Sequence, residues 1–251
     1  MTKPELPSAT IAEHSGLRTL HLGATPWVQG AMDLRKPREL VLEYVQRMMA
    51  WMLWRDSAEV ARGHAVQLGL GAGAMTRFCH QVLRMDRVTA VELNPAVIAA
   101  CRQGFRLPAD DARLQVIERD AAEWVSDTAQ LQTAQVLNVD LYDHEAAAPV
   151  LDSTDFYAAC RGVLAHGGVM SVNLFGRAAS FERSAARIAA AFGGNQVWSL
   201  RPTREGNTVV VAARGIEVPG RDELTARAAT IERRYGLPAR KWLRMVRPWT
   251  A

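Results

Sequence analysis

A glycine-rich turn between two regular patterns constrains this chain more than any other feature. The apolar run 65–68 leads directly into glycines at positions 69, 71 and 73, and a helix-like pattern follows from Met75. Glycine has no Cβ and tolerates positive φ, so the backbone of such a turn can approach a ligand closely. The N–H groups at the start of the following helix are free to bind that ligand. The order strand, glycine turn, helix predicts a nucleoside-binding α/β fold.

An acidic residue after the second strand supports this prediction. Residues 87–91 form a short apolar pattern that ends in Glu92, about twenty positions beyond the glycines. An acid at this spacing is placed to accept hydrogen bonds from both hydroxyls of a ribose. The alternative, a glycine turn that only packs against its neighbours, stays open at this point.

The rest of the chain alternates strands with helices. This order predicts a parallel sheet, with an antiparallel pair at 197–201 and 208–213 closing one edge. Before the glycine turn we expect a polar, flexible lead-in, then a β-hairpin of strands 17–23 and 27–34, then one long helix over 37–54. The further strands are predicted at 113–117, 134–141 and 169–175, and the further helices at 95–104, 154–164, 180–192 and 222–235.

The length and composition fit one large domain with small additions. The chain has 251 residues, of which 49% are hydrophobic, and we divide it into a lead-in and hairpin (1–36), a catalytic domain (37–215) and a basic helical extension (216–251). No apolar run approaches the ~20 residues of a membrane span. The cysteines at 79, 101 and 160 lack metal-ligand spacing and predict reduced thiols in a cytoplasmic protein without a metal site.

Positive charge is concentrated at the carboxyl end. The chain has 11 Lys/Arg against 5 Asp/Glu after residue 200, and 19 against 21 before it. A basic tail can mark a nucleic-acid partner. We interpret this one as the solvated face of an arginine-rich helix, and we expect neither a nucleic-acid nor a membrane partner.

Acidic residues follow three of the predicted strands. Glu92 follows the second, Asp120 the third, and Asp140 stands at the end of the fourth, with Asp143 close behind. Ligands of an open parallel sheet bind beyond the carboxyl ends of its strands, so we expect these carboxylates to converge. Glu92 suits a ribose and Asp120 the exocyclic amine of an adenine, which leaves Asp140 and Asp143 for the reacting centre. Each acid alone could also be a helix cap or a solvated loop residue.

Several motifs together resemble the spermidine/spermine synthase family, the polyamine aminopropyltransferases. The similarity extends over roughly 27–213 and suggests a branch with a shortened N-terminal domain. The resemblance implies a Rossmann-like S-adenosylmethionine-dependent methyltransferase fold, with a mostly parallel seven-stranded sheet and helices on both faces after the hairpin. The motifs are LGLGAG at 68–73, VELNP at 91–95, IERDAAEW at 117–124, VDLYD at 139–143, FY at 156–157 and LAHGGV at 164–169.

The resemblance also implies a reaction and the residues that perform it. An aminopropyl group would pass from decarboxylated S-adenosylmethionine, a co-substrate and not a tightly bound cofactor, to a primary amine such as putrescine, releasing methylthioadenosine. Asp140, Asp143 and Tyr44 would serve the amine, the loop 144–153 would close over the site, and a homodimer is expected. The nucleoside would be bound by Gln29, Gly69, Gly71, Gly73, Glu92, Asp120 and Ala121.

One position in the glycine turn departs from the family pattern. This chain has Ala72 where the family has an acid that faces the amine of the aminopropyl group. Two alternatives therefore stay open beside aminopropyl transfer. The chain could be a methyltransferase that uses intact S-adenosylmethionine, or a non-catalytic nucleoside-binding relative.

Overall fold

The computed structural model describes residues 6–25, 27–142, 151–176 and 178–250. Two sheets organise them. A three-stranded antiparallel sheet is formed by β1 (Ala9–His14), β2 (Leu17–Leu22) and β3 (Gly30–Asp33). The main sheet consists of β4 (His64–Leu68), β5 (Arg87–Glu92), β6 (Leu114–Glu118), β7 (Ala134–Val139), β8 (Leu164–Phe175), β9 (Val197–Ser199), β10 (Asn207–Ala213) and β11 (Arg247–Pro248).

The first sheet has one strand more than the sequence predicted. β1 lies in the segment expected to be a flexible lead-in, and it pairs with β2 from Ala9↔Leu22 to His14↔Leu17. The turn between them is Ser15-Gly16, with φ of 50° and 80°. Positive φ at both central residues is the geometry of a tight two-residue hairpin. The small turn Ser-Gly was the available signal for this strand.

The main sheet has the predicted α/β order. Its strands run β11-β9-β10-β8-β7-β4-β5-β6. The five from β6 to β8 are parallel, whereas β10 and β9 are antiparallel and close one edge. This confirms the mostly parallel, methyltransferase-like sheet. The short β11 pairs with β9 and makes an eighth strand beyond the seven expected.

Helices cover both faces of the main sheet. The α-helices are α1 (Glu43–Met48), α2 (Ala74–Arg77), α3 (Pro95–Gly104), α4 (Ala121–Ser126), α5 (Thr154–Val163), α6 (Ala178–Phe192), α7 (Arg221–Tyr235) and α8 (Ala239–Met245). Helical turns of other types occupy Met49–Trp54, Phe78–Leu83, Thr128–Gln130 and Gly194–Gln196.

The predicted helix 37–54 is broken and shorter. The Asp33 carboxylate accepts hydrogen bonds from the N–H groups of Arg35 and Lys36, which holds a turn where the helix was expected to begin. The α-helix begins only at Glu43, and after Met48 it tightens into a 3₁₀ segment. Every residue of Met49–Trp54 is buried, so tertiary packing sets this conformation against local helix preference.

The C-terminal helices belong to the same hydrophobic core as the sheet. Trp242 of α8 and Ile231 of α7 are 1% and 2% exposed, and they pack in one cluster with Trp51 and Trp54. The opposite face of the sheet has its own cluster, which includes Trp124. The helices α7 and α8 thus cover one face of the main sheet.

Candidate active site

A cavity of about 890 Å³ opens at the carboxyl ends of the parallel strands. This is where open α/β sheets bind ligands, because the loops there diverge between neighbouring strands. Residues Leu20 and Leu22 of β2, the segment 27–29 and the start of α1 close it from the other side. Eight of the predicted site residues line this cavity: Gln29, Tyr44, Gly69, Gly71, Glu92, Asp120, Ala121 and Asp140.

The glycine turn forms one wall of the cavity, and its residues need to be small. Gly69 has φ of +82°, and a Cβ there would lie 2.2 Å from the backbone oxygen of Asp140. Gly71 has φ of +49°, with the backbone oxygen of Gln29 2.8 Å from such a Cβ. Gly73 is different: it precedes α2 with φ of +67° and faces the side chains of Arg77 and Leu107. The structure therefore places Gly73 away from the cavity, where it shapes the turn.

Glu92 is held by the backbone on both sides. Its Oε2 accepts from the N–H of Leu70 and its Oε1 from the N–H of Asn94, each at 2.9 Å. Burial raises the pKa of the carboxyl, and these donors act in the opposite direction. Each carboxylate oxygen can accept more than one hydrogen bond. The fixed carboxylate can therefore still accept from the two hydroxyls of a ribose.

Asp120 combines a structural role with a place in the cavity. It is the N-cap of α4, and its Oδ1 accepts from the N–H groups of Ala122 at 2.8 Å and Glu123 at 3.0 Å. Both bonds use the same oxygen, so the cap does not occupy Oδ2. Ala121 lines the cavity beside it. The N-cap interpretation and the ligand interpretation of Asp120 are thus compatible.

Asp140 lines the cavity at the end of β7. Its Oδ1 accepts from Asn173 Nδ2 at 2.9 Å, and the Tyr44 hydroxyl forms a second hydrogen bond with the carboxylate. The residue keeps some exposure toward the cavity, yet protein surrounds its carboxyl group, and this burial raises its pKa. The pKa of Tyr44 lies well above its ordinary value because of burial and the neighbouring Asp140. Tyr44 therefore keeps its proton and donates it in the hydrogen bond to Asp140.

Two asparagines that sequence reasoning missed support this acid. Asn173 and Asn207 are 4% and 9% exposed. The Nδ2 group of Asn207 donates to Asn173 Oδ1 at 3.1 Å, which orients the amide of Asn173 so that its Nδ2 faces Asp140. The sequence signal for Asn173 was one amide in a mostly apolar strand.

An aromatic wall, formed by Trp27, Tyr142 and Phe175, lies beside Asp140 and was also missed. The ring of Phe175 meets that of Trp27 edge-on at 6.3 Å and that of Tyr142 at 6.5 Å. The Tyr142 hydroxyl donates to the backbone oxygen of Asn173 and accepts from the N–H of Phe175. The wall offers apolar surface for the methylene groups of a ligand.

Two further positions singled out in the sequence are Asp143 and Ala72. Asp143, and residues 144–150 of the loop 144–153 that is expected to close the site, lie outside the described residues. Ala72 is 2% exposed and lines a small second cavity of about 20 Å³, together with Tyr44 and Asp140.

The described part of the chain contains no group of three or more His, Cys, Asp or Glu side chains that could hold a metal. It also contains no helix long and apolar enough to cross a membrane.

The fold and this cavity define a class of protein. An open, mostly parallel sheet with a glycine-rich first turn and an acid after the second strand is the architecture of Rossmann-like, methyltransferase-type proteins that bind nucleosides. Two solved structures share the fold. A probable spermidine synthase from Corynebacterium glutamicum aligns with TM-score 0.72 at 18% identity, over 89% of this chain and 83% of that one. Human methyltransferase-like protein 13 in complex with SAH aligns with TM-score 0.68 at 21% identity, over 84% and 96%.

Sequence comparisons place the chain within this class. A profile of the spermine/spermidine synthase domain matches residues 44–183. A polyamine aminopropyltransferase of Neisseria meningitidis is 33% identical over 242 residues, which cover 96% of this chain and 89% of that protein. The chain belongs to the spermine/spermidine synthase family. This confirms the resemblance that the sequence motifs indicated.

Proposed function

We propose that this protein is a polyamine aminopropyltransferase, which moves an aminopropyl group from decarboxylated S-adenosylmethionine to a primary amine. The observation that carries the proposal is the buried Asp140 carboxylate, hydrogen-bonded to Tyr44 and Asn173 in the same cavity as the nucleoside-type residues. The name of the Neisseria relative and the family of the chain point to the same reaction.

The nucleoside half of the donor fits the side of the cavity formed by β4, β5 and β6. Glu92 would accept from the ribose hydroxyls and Asp120 Oδ2 from the exocyclic amine of adenine. Gly69 and Gly71 let the backbone approach the ligand, and Gln29 lines the cavity beside Gly71. These contacts would place the sulfonium of the donor toward Asp140.

Asp140 would prepare the amine for attack. A primary alkyl ammonium has a pKa near ~10.4, so at neutral pH it carries a proton that must be removed. The Asp140 carboxylate binds the ammonium, orients it and takes one proton, and its raised pKa makes it a stronger base than an exposed aspartate. The nitrogen lone pair then forms a bond to the aminopropyl carbon. The C–S bond breaks, and its electrons remain on sulfur as a neutral thioether, methylthioadenosine.

The remaining expectations for this site rest on the family resemblance. Asp143 would assist Asp140 or bind the far end of the amine, and the loop after it would exclude water during transfer. The acceptor would be putrescine or another small polyamine. A homodimer in the cytoplasm is the expected setting.

The substitution Asp140→Asn tests the proposal. The amide keeps the shape of the side chain but cannot take a proton, so we expect turnover to fall at least ~10³-fold. Calorimetry should show affinity for methylthioadenosine within about twofold of the wild type, because the nucleoside residues are unchanged. If turnover and nucleoside affinity are lost together, Asp140 binds the nucleoside donor and does not serve the amine.

A methyltransferase that uses intact S-adenosylmethionine is the second candidate. It is favoured by Ala72, which leaves the small cavity without the acid that resembling enzymes have there. Incubation with each donor and mass analysis of the products separates the two. Aminopropylated amine and methylthioadenosine support the proposal, whereas methylated amine and S-adenosylhomocysteine support the second candidate.

A further inference from the structure

A row of buried polar side chains crosses the centre of the main sheet beneath Asp140. Gln67 in β4 is in register with Asn138 in β7, and Asn138 with Ser171 in β8. These three residues are called the polar row below. Because side chains two positions apart on a strand share a face, Asn138 lies directly below Asp140 and Ser171 directly below Asn173. The polar row is therefore the next layer of side chains under the reacting centre.

The polar row faces the helices that carry Tyr44. Its neighbours along the strands, Leu137 and Val139 among them, belong to the opposite core cluster around Trp124. Ala65 and Val136, on the same face as the polar row, pack in the cluster that contains Met48 and Trp51. Three adjacent polar residues thus stand on a buried face where the preceding residues on the same strands, Ala65, Val136 and Val169, are aliphatic.

The side chains of the polar row have hydrogen-bonding atoms without protein partners. Gln67, Asn138 and Ser171 are 3%, 1% and 0% exposed. Both amide atoms of Gln67, Asn138 Oδ1 and Ser171 Oγ lack a partner within the described ranges. Thr76 Oγ1 in α2, which covers this face, is in the same condition. Buried polar atoms are nearly always paired, and ordered water pairs them where protein does not.

The small cavity offers room for water on the same side of the main sheet. Its walls include Val45 and Met75, which pack in one cluster with Ala65 and Val136, but no residue of the polar row. Its volume of about 20 Å³ exceeds the ~10–15 Å³ that one water molecule needs. Tyr44 and Asp140 are among the residues that line it. A water molecule there would lie beside both residues of the hydrogen-bonded pair.

We propose that the polar row and the small cavity hold internal water that solvates Asp140 from beneath, and that Asn138 and Ser171 are positioning residues acting through it. The proposal deepens, and rests on, the assignment of Asp140 as the base. When substrates fill the main cavity they displace the water above Asp140, and water below then adds to Asn173 and Tyr44 in stabilising its charged form. The polar row would keep the carboxylate ionised and hydrated while it waits for the ammonium.

The titratable groups around Asp140 also influence its protonation. Tyr44 from α1 and Tyr142 after β7 face it directly, and Asn173 from β8 is its uncharged donor. The other titratable groups of the main cavity are Glu43, Glu92, Arg119, Asp120 and Glu205. None of them belongs to the polar row, so changing the polar row alters the solvation of Asp140 without removing a charge.

The test uses the substitution Ser171→Ala, with Ser171→Thr as the conservative variant and Thr89→Val as the matched control. Thr89 is fully buried in β5, the neighbour of β4, but it lies on the opposite face, in register with Val66, and bonds to His64. With less water below it, Asp140 binds its proton more tightly in Ser171→Ala. The acidic limb of the kcat profile should therefore move to higher pH, with kcat on that limb falling roughly threefold to tenfold.

Three further readouts separate this role from a structural one. KM for the donor should stay unchanged, Ser171→Thr should restore the profile, and Thr89→Val should lower stability without moving the limb. A crystal structure of the full chain should show water within hydrogen-bond distance of Asn138 Oδ1 and Ser171 Oγ. The inference is overturned if the crystal structure shows no water at the polar row, or if the acidic limb of the kcat profile does not move in Ser171→Ala. Absence of aminopropyl transfer by the wild type would refute the proposed function instead, and the water positions would still test the polar row.

Discussion

Two buried carboxylates in one cavity illustrate how surroundings decide the role of a single residue. Glu92 and Asp140 both have a raised pKa because of burial. Glu92 accepts backbone N–H groups on both oxygens, whereas Asp140 is bonded by the Asn173 amide and the Tyr44 hydroxyl. Backbone donors are fixed and demand an acceptor, but a hydroxyl can also accept. The Glu92 carboxylate is therefore required as an acceptor by the backbone, whereas Asp140 can gain a proton without leaving a backbone N–H group unpaired.

This difference predicts opposite effects of charge removal on stability. A carboxyl whose folded pKa exceeds its unfolded value is stabilising at low pH, and that contribution is lost as pH rises through the folded pKa. At neutral pH the charge of Asp140 thus lowers stability. Asp140→Asn keeps both hydrogen bonds, since the new amide can donate to Tyr44, and it should raise Tm by a few degrees (about 2–4 °C per ~1 kcal/mol).

Glu92→Gln is the matched variant. Its amide nitrogen must face the N–H of Leu70 or Asn94, and a buried donor left without an acceptor costs about 1–3 kcal/mol. We expect its Tm to fall in the same thermal scans at pH 7. Equal shifts in the two variants would show that charge alone, and not the kind of donor, governs these sites.

At the scale of elements, the sequence predicted the features that interactions between residues close in the chain determine. The parallel order and the antiparallel edge followed from strand and helix patterns, and Asp120 and Asn94 stand at the caps of α4 and α3. The prediction failed where packing decides. The 3₁₀ form of Met49–Trp54 depends on its burial on all sides. Asn173 and Asn207 meet only because β8 pairs with β10, so the link from Asn207 through Asn173 to Asp140 could not be read from spacing.

The start of α4 allows the two roles of Asp120 to be measured separately. Asp120→Asn keeps a good N-cap acceptor but removes the charge, so Tm should stay near the wild-type value. Affinity for methylthioadenosine should fall roughly tenfold, as for the loss of a charge-assisted bond. Asp120→Ala should show the same loss of affinity and in addition lose about 1 kcal/mol of stability.

Ser153 provides the control for this experiment. It caps α5 through the N–H of Phe156 at 3.1 Å and does not line the main cavity. Ser153→Ala should lower stability by a similar amount while leaving nucleoside affinity intact. An Asp120→Asn variant that binds methylthioadenosine as well as the wild type would leave Asp120 as a cap alone.

At the scale of the whole molecule, the basic carboxyl end is more than a solvated face. Part of its positive charge is used internally. Arg227 pairs with Glu223 and also donates to the backbone oxygen of Leu53 at 3.0 Å, and Arg240 pairs with Glu232 at 3.1 Å. Composition could indicate an arginine-rich helix but not these partners, because Leu53 lies 174 positions earlier in the chain.

The same packing predicts what removal of this end does to the molecule. Deleting residues 216–251 takes away Ile231 and Trp242, which are buried in the core cluster beside Trp51, and a large buried side chain lost from a core costs about 3–5 kcal/mol by itself. With total stabilities of about 5–15 kcal/mol, the shortened chain should be unfolded or aggregated in circular dichroism and gel filtration. Deleting only 247–251 removes the two-residue strand β11 and should lower Tm modestly. If a chain ending at 215 instead unfolds cooperatively near the wild-type Tm, the prediction is wrong. The main sheet would then be stable without the packing of α7 and α8, and the basic end would be a dispensable extension.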